Sequence, residues 1–174
     1  MAMIAFGLTL GVASAQTQET KGSEKAEAAE AAKNAPALAA ALKDATVSLE
    51  AGLRASESEG KPISGKFEIE DGKLQLSVYT AKGGQFFEVI VDHKTGKITK
   101  AEPITEADDL KDAKTQAKAM SQAKSSLADA VAKAVKANNG YRAVSVATEV
   151  EGGAATADVG LLKGSSAKYV DEKL

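Results

Sequence analysis

The spacing of apolar residues changes period at one point, and that change limits the folds open to the chain. From Pro36, Leu38, Leu42, Ala45, Leu49 and Leu53 recur at intervals of three and four, the stripe of an amphipathic helix. Gly60 and Pro62 stop the pattern. Beyond them the period falls to two: Ile63, Phe67 and Ile69 share one face, and Lys66, Glu68 and Glu70 the other. Asp71-Gly72 is a two-residue hairpin signal, because a type I′ turn needs positive φ at both positions. Leu74, Leu76 and Val78 then alternate, Gly83-Gly84 turns the chain, and Phe87, Val89 and Val91 form the inward side of a third strand. Gly96 closes a turn into a fourth, "KITKA". A helix followed by an antiparallel meander is an α+β unit.

The unit recurs. Ser48-Leu49 stands 78 positions before Ser126-Leu127, and "EIEDG" at 68–72 answers "EVEGG" at 149–153. Leu127, Val131, Ala134 and Val135 make a second helical stripe that ends near Asn138-Asn139-Gly140. The strands "AVSVATEVE", "AATADVGLL" and "AKYVDEKL" follow. The expected fold is therefore α+β in two repeated units, each an N-terminal helix packed on a small antiparallel sheet. Aromatics make up only 4% of the chain and Trp is absent, so each unit is expected to hold a thin core of its own.

The N-terminus addresses the compartment. Met3–Val12 is an apolar run too short to span a bilayer, and it leads into Ala13-Ser14-Ala15, the small-x-small pattern of a signal peptidase site. Residues 1–15 read as a signal peptide, leaving no membrane span after cleavage. The Glu-, Lys-, Gln- and Ala-rich segment 16–35 reads as a disordered, solvated tether. Unit 1 is placed at 36–101, a connector at 102–112 and unit 2 at 113–174. In the connector, Thr105 and Asp108 stand at capping-box spacing ahead of a helix, and Glu106, Asp108, Asp109 and Asp112 suit its first turns.

Most chemistry is excluded by residue type. The chain has no cysteine and a single histidine, His93, which leaves no disulfide, thiolate or zinc ligand set. Its 22 basic and 24 acidic residues nearly cancel, so no net field points to nucleic acid. "GKPISGK" at 60–66 mimics a phosphate loop, but Phe67 stands where Ser or Thr should hold magnesium, and the loop runs from helix to strand. Lys94-Thr95-Gly96 and Ser121-Gln122-Ala123-Lys124 resemble penicillin-binding motifs in the wrong order, without Ser-Asp-Asn. Asp92 and His93 close a strand beside a glycine turn, where both are ordinary residues. No catalytic, metal or cofactor site is expected.

The stretch Phe87-x-Val89-x-Val91-Asp92, followed by Thr95-Gly96-Lys97, resembles the signature of the PepSY domain, and the two preceding strands match that family's pattern. The resemblance covers 36–101, and 113–174 looks like a divergent copy that lacks the Thr-Gly-Lys turn. It implies a noncatalytic exported module that binds a protein partner and restrains a secreted or periplasmic peptidase in trans. The alternative is a structural or sensory cell-envelope protein that scaffolds another partner. Binding would use either a sheet edge or the face carrying Tyr79, Phe86 and Ile90. Burial of those three against the second unit is the competing expectation.

Overall fold

A computed structural model of the chain describes residues 34–174; the apolar run, the cleavage pattern and nearly all of the 16–35 segment lie outside the described residues. Helix α1, described over residues 34–41, passes through a 3₁₀ turn, Leu42–Asp44, to α2, Leu49–Ser56. Strands β1 (Lys61–Glu70), β2 (Lys73–Lys82), β3 (Gln85–Val91) and β4 (Ile98–Pro103) follow. Then come α3 (Ala107–Ser121), α4 (Leu127–Ala137), β5 (Arg142–Glu151), β6 (Ala154–Lys163) and β7 (Ser166–Lys173). The class is α+β, and the order helix–strand–strand–strand occurs twice, as α2-β1-β2-β3 and α4-β5-β6-β7.

The turns form as their residues demand. Asp71 and Gly72 have φ of 49° and 75°, and Gly83 and Gly84 of 61° and 82°, so both hairpins carry the left-handed pair that a tight, right-twisted connection needs.

The first helical stripe is not one helix. Of its five apolar positions, Leu38 falls in α1, Leu42 in the 3₁₀ turn, Ala45 in the extended linker after it and Leu49 and Leu53 in α2, because Ser48 starts a new helix: its Oγ accepts the Ala51 N–H at 3.3 Å. The backbone donors just before it go elsewhere, Thr46 and Val47 both donating to the His93 carbonyl at 3.1 and 3.0 Å. Asn34 and Ala35, placed in the tether by the sequence, are helical, and Ala35 is buried. The connector also differs from expectation. Helix α3 runs straight through the 112/113 boundary, and Glu106 takes its N-cap with extended backbone and no side-chain bond, so the Thr105–Asp108 capping box does not form.

Two small sheets and two cores were expected; there is one of each. All strands of the described residues join in a seven-stranded antiparallel sheet, β4-β3-β2-β1-β5-β6-β7. The halves meet where Ser64, Gly65 and Lys66 of β1 pair with Ala147, Val146 and Ser145 of β5. A single apolar cluster runs from Leu42 through Leu53, Leu76 and Val89 to Val131, Val159 and Leu161. Three or four short strands and one helix rich in alanine bury too little alone, and joining at β1–β5 gives both halves a common interior.

Helices α2 and α4 pack side by side on one face, α2 over β1 and β2 and α4 over β5, β6 and β7. Gly52 lets α2 settle on the sheet, since a Cβ there would stand 2.6 Å from Leu76 Cδ2. Leu127, Val131 and Ala134 of α4 are buried. Its start is capped by Ser126 as α2 is by Ser48, with Oγ accepting the Asp129 N–H at 3.1 Å. As the sequence predicts, it ends at Asn138, whose Nδ2 donates to the Ala134 carbonyl at 2.7 Å.

Helix α1 lies on the other face. Lys133 of α4 pairs with Glu172 of β7, which stands opposite Ala157, so Ala157 and Val159 face α4. Alternation then turns Gly160, Leu162 and Tyr169 away from it. Ala35 and Leu38 of α1 line a narrow cleft there together with Gly160, Leu162 and Ala167, and Ala35 is buried. Gly160 is needed for that row to close: a Cβ would meet Ser145 Oγ at 2.2 Å and Tyr169 Cε1 at 3.2 Å.

Candidate partner-binding face

Tyr79, Phe86 and Ile90 share the face of β2–β3 turned away from α2. Pairing sets Tyr79 opposite Glu88, Ala81 opposite Phe86 and Ser77 opposite Ile90, so the three form a triangle in which Tyr79 is the diagonal neighbour of both Phe86 and Ile90 and Glu88 stands between those two. All three are half-buried. Tyr79 and Phe86 rest against the rim of the core, while Ile90 stands outside it. The chain leaving β4 lies beside them, with the Ile104 N–H donating to the Phe86 carbonyl at 2.9 Å.

Their surroundings are polar and mostly acidic. Tyr79 Oη donates to Glu88 Oε1 at 3.4 Å. A chain of hydrogen bonds crosses the neighbouring strands, Ser77 Oγ to Glu68 at 2.8 Å and Gln75 Nε2 to Ser77 at 3.0 Å and to Glu70 at 2.7 Å. Lys66 pairs with Glu68 at 2.7 Å and Lys100 with Glu102 at 2.8 Å. Burial, and then the charges of Glu88, Glu68 and Asp109, push the Tyr79 phenol far above its ordinary range, so the hydroxyl stays a donor. The Asp109 carboxylate, in the first turn of α3, is one of the charges that act on Tyr79. In the sheet, β1 and β2 stand between β3 and the strands of the second half.

The stretch after β3 is a turn with a structural task. The Asp92 N–H donates to the Lys97 carbonyl and the Gly96 N–H to the Asp92 carbonyl, both at 2.8 Å, and Gly96 has φ 75°. Asp92 Oδ1 accepts the Lys94 and Thr95 N–H groups at 2.9 and 2.7 Å. Those donors, Thr95 first, hold the Asp92 carboxyl below its ordinary range. The carboxylate is thus committed to its own turn, as the sequence reading expects. His93 Nδ1 is enclosed without a hydrogen-bond partner among the described residues. Its carbonyl takes the Thr46 and Val47 N–H groups, and Thr46 Oγ1 donates to the Lys94 carbonyl at 2.5 Å. The turn is therefore the dock for the α1–α2 linker.

Sequence reasoning missed the residues that tie the halves together. Arg142 of β5 donates to the carbonyls of Leu42, Ala45 and Val47 at 2.9, 3.2 and 2.8 Å, with its guanidinium 5.2 Å from the centre of the Phe67 ring. Arg54 of α2 pairs with Asp129 of α4 at 2.7 Å. A signal was available: Arg54 and Arg142 are the only arginines in a chain whose other basic residues are lysines. A planar fork of donors suits the gathering of several fixed acceptors, which an ammonium group does poorly.

Among the described residues no group of three or more His, Cys, Asp or Glu side chains is placed to hold a metal ion. None of the described helices is long and apolar enough to cross a membrane. A groove of about 380 Å³ lies between the end of α2, the start of β1 and the α3–α4 junction, lined largely by Leu53, Pro62, Met120, Leu127 and Ala128.

No protein-family model matches the chain, and no curated protein matches it significantly. The resemblance to the PepSY domain rests on the residues of β3 and its turn. Among solved structures the chain is similar to that of a "putative lipoprotein" from Clostridium difficile 630, with 12% identity and a TM-score of 0.38, over 74% of this chain and 95% of the other. A likeness that distant assigns neither a family nor an activity.

Proposed function

We propose that the chain is a noncatalytic exported binding module that receives a protein partner on the β2–β3 face marked by Tyr79, Phe86 and Ile90, and that the partner is a peptidase held in check in trans. One observation carries the reading. The face opposite α2 and α4 is closed by α1 over the second half, whereas on β3 it leaves Phe86 and Ile90 half-exposed among polar groups. A partly exposed apolar group within a polar surround is the anatomy of a protein contact. The face is favoured over strand addition at the adjoining edge, because β4 is six residues long and ends in Pro103, which has no N–H to offer. Export is supported by the apolar run and the Ala13-Ser14-Ala15 pattern. The same reading takes 36–101 and 113–174 as two copies of one unit, supported by the matched caps Ser48 and Ser126.

The test is inhibition of the exported peptidases of the same cell by the purified chain. Phe86→Asp, with an unchanged circular dichroism spectrum, is expected to weaken inhibition at least tenfold. Absence of inhibition across those peptidases overturns the peptidase reading, and inhibition untouched by Phe86→Asp overturns the face.

A further inference from the structure

The sheet has two edges, β4 and β7, and they are built differently. β4 is short and closed by Pro103, whereas β7 runs Ser166–Lys173 with neither proline nor glycine. The Leu174 N–H donates to the Ala155 carbonyl. Backbone direction alternates along a strand, so Lys168, Val170 and Glu172 address β6, while Ala167, Asp171 and Lys173 turn their N–H and C=O groups the other way.

We propose that β7 is a dimerisation edge, pairing antiparallel with β7 of a second copy about a two-fold axis at Val170. A two-fold contact sets each residue opposite a fixed counterpart, and outward-facing groups must meet outward-facing groups, so the axis passes through a residue. At Val170 the pairing uses the whole segment 167–173. Lys168 falls opposite Glu172 twice, Tyr169 opposite Asp171, Ala167 opposite Lys173, and Val170 meets itself. Moving the axis to Lys168, Asp171 or Glu172 sets a charge against its own kind, which is destabilising across a strand pair. Moving it to Tyr169 shortens the pairing and puts Lys168 against Val170. The charges of β7, Lys168, Asp171, Glu172 and Lys173, which protect an edge from unrelated strands, thus place Lys168 and Glu172 as mutual partners in one register. The partner is a second copy because the complementarity is with this sequence. The Lys168 ammonium, now on Asn138 Oδ1 at 2.6 Å, and Glu172, now on Lys133, lie on the α4 side of the sheet, where the dimer would align Lys133, Glu172 and the second copy's lysine in one row.

Sedimentation equilibrium of the full chain over a concentration series tests this. The unmodified chain is expected to show a monomer–dimer equilibrium, weakened at least tenfold by Lys168→Glu and restored by the double change Lys168→Glu with Glu172→Lys. Asp171→Pro, which removes an outward N–H and leaves the bonds to β6 intact, is expected to abolish the dimer whether or not Lys168→Glu folds. A chain that is monomeric at every concentration, or a dimer indifferent to Asp171→Pro, overturns the proposal. Failure of the double change to restore association in a folded protein overturns the register.

Discussion

The face of the sheet turned away from α2 and α4 is finished in two ways. Over β5–β7 it is lined by Gly160, Leu162 and Ala167, and α1 closes on it with Ala35 buried. Over β1–β3 the equivalent surface carries Lys66, Glu68, Gln75, Tyr79 and Glu88, bound to one another and half in water. Small residues let a helix backbone approach; long polar ones fill the same space and hold it off. Two stretches with the same order of elements therefore differ in what they leave open, and the difference lies in side-chain size on one face of three strands.

That comparison can be broken at its ends. Leu162 is 5% exposed under α1. Leu162→Asp is expected to cost at least about 3 kcal/mol, through lost burial and an unpaired charge. Ile90→Asp on the open half should cost less than about 1 kcal/mol. Urea unfolding of the two variants checks the contrast, and equal losses would mean that both faces are sealed alike. Next in size is the clamp. Arg142→Met removes a donor from three carbonyls, of which that of Leu42 keeps the Ala45 N–H, and should cost about 2–3 kcal/mol, with amide exchange accelerated first in residues 34–48. Arg54→Met serves as the control: its ion pair has side chains 53% and 58% exposed, and should be worth less than about 1 kcal/mol. The smallest test sharpens what the halves share. Ser48→Ala and Ser126→Ala should each cost about 1 kcal/mol, one orphan N–H apiece, and a pair of melts giving unequal losses would show that the two caps are not equivalent.

What was legible in the sequence was local. The period change at Gly60–Pro62, the Asp71-Gly72 and Gly83-Gly84 turns and the stop at Asn138 each depend on a few neighbouring residues, and each appears in place. Tyr79, Phe86 and Ile90 share a face because alternation is a local rule too. Periodicity failed where a tertiary partner decided the outcome. The stripe from Leu38 to Leu53 spans a break that the His93 carbonyl and Arg142 make affordable, and neither lies within forty residues of the first of those leucines. The joining of β1 to β5 through three residue pairs has no signature in either strand, so the sequence suggested two cores where the described residues share one.

The central position of β1 has a consequence for how the molecule comes into being. Its neighbour on one side, β2, follows within a hairpin, but its neighbour on the other, β5, is made some eighty residues later. Until then a ribosome or a secretion channel has delivered a four-stranded fragment in which β1, central in the finished sheet, is an edge bare along one side, and such a strand invites the wrong company. Contacts of this long sequence separation also close late and slowly. The half-made chain is thus safest when it stays unfolded until β5 has been made.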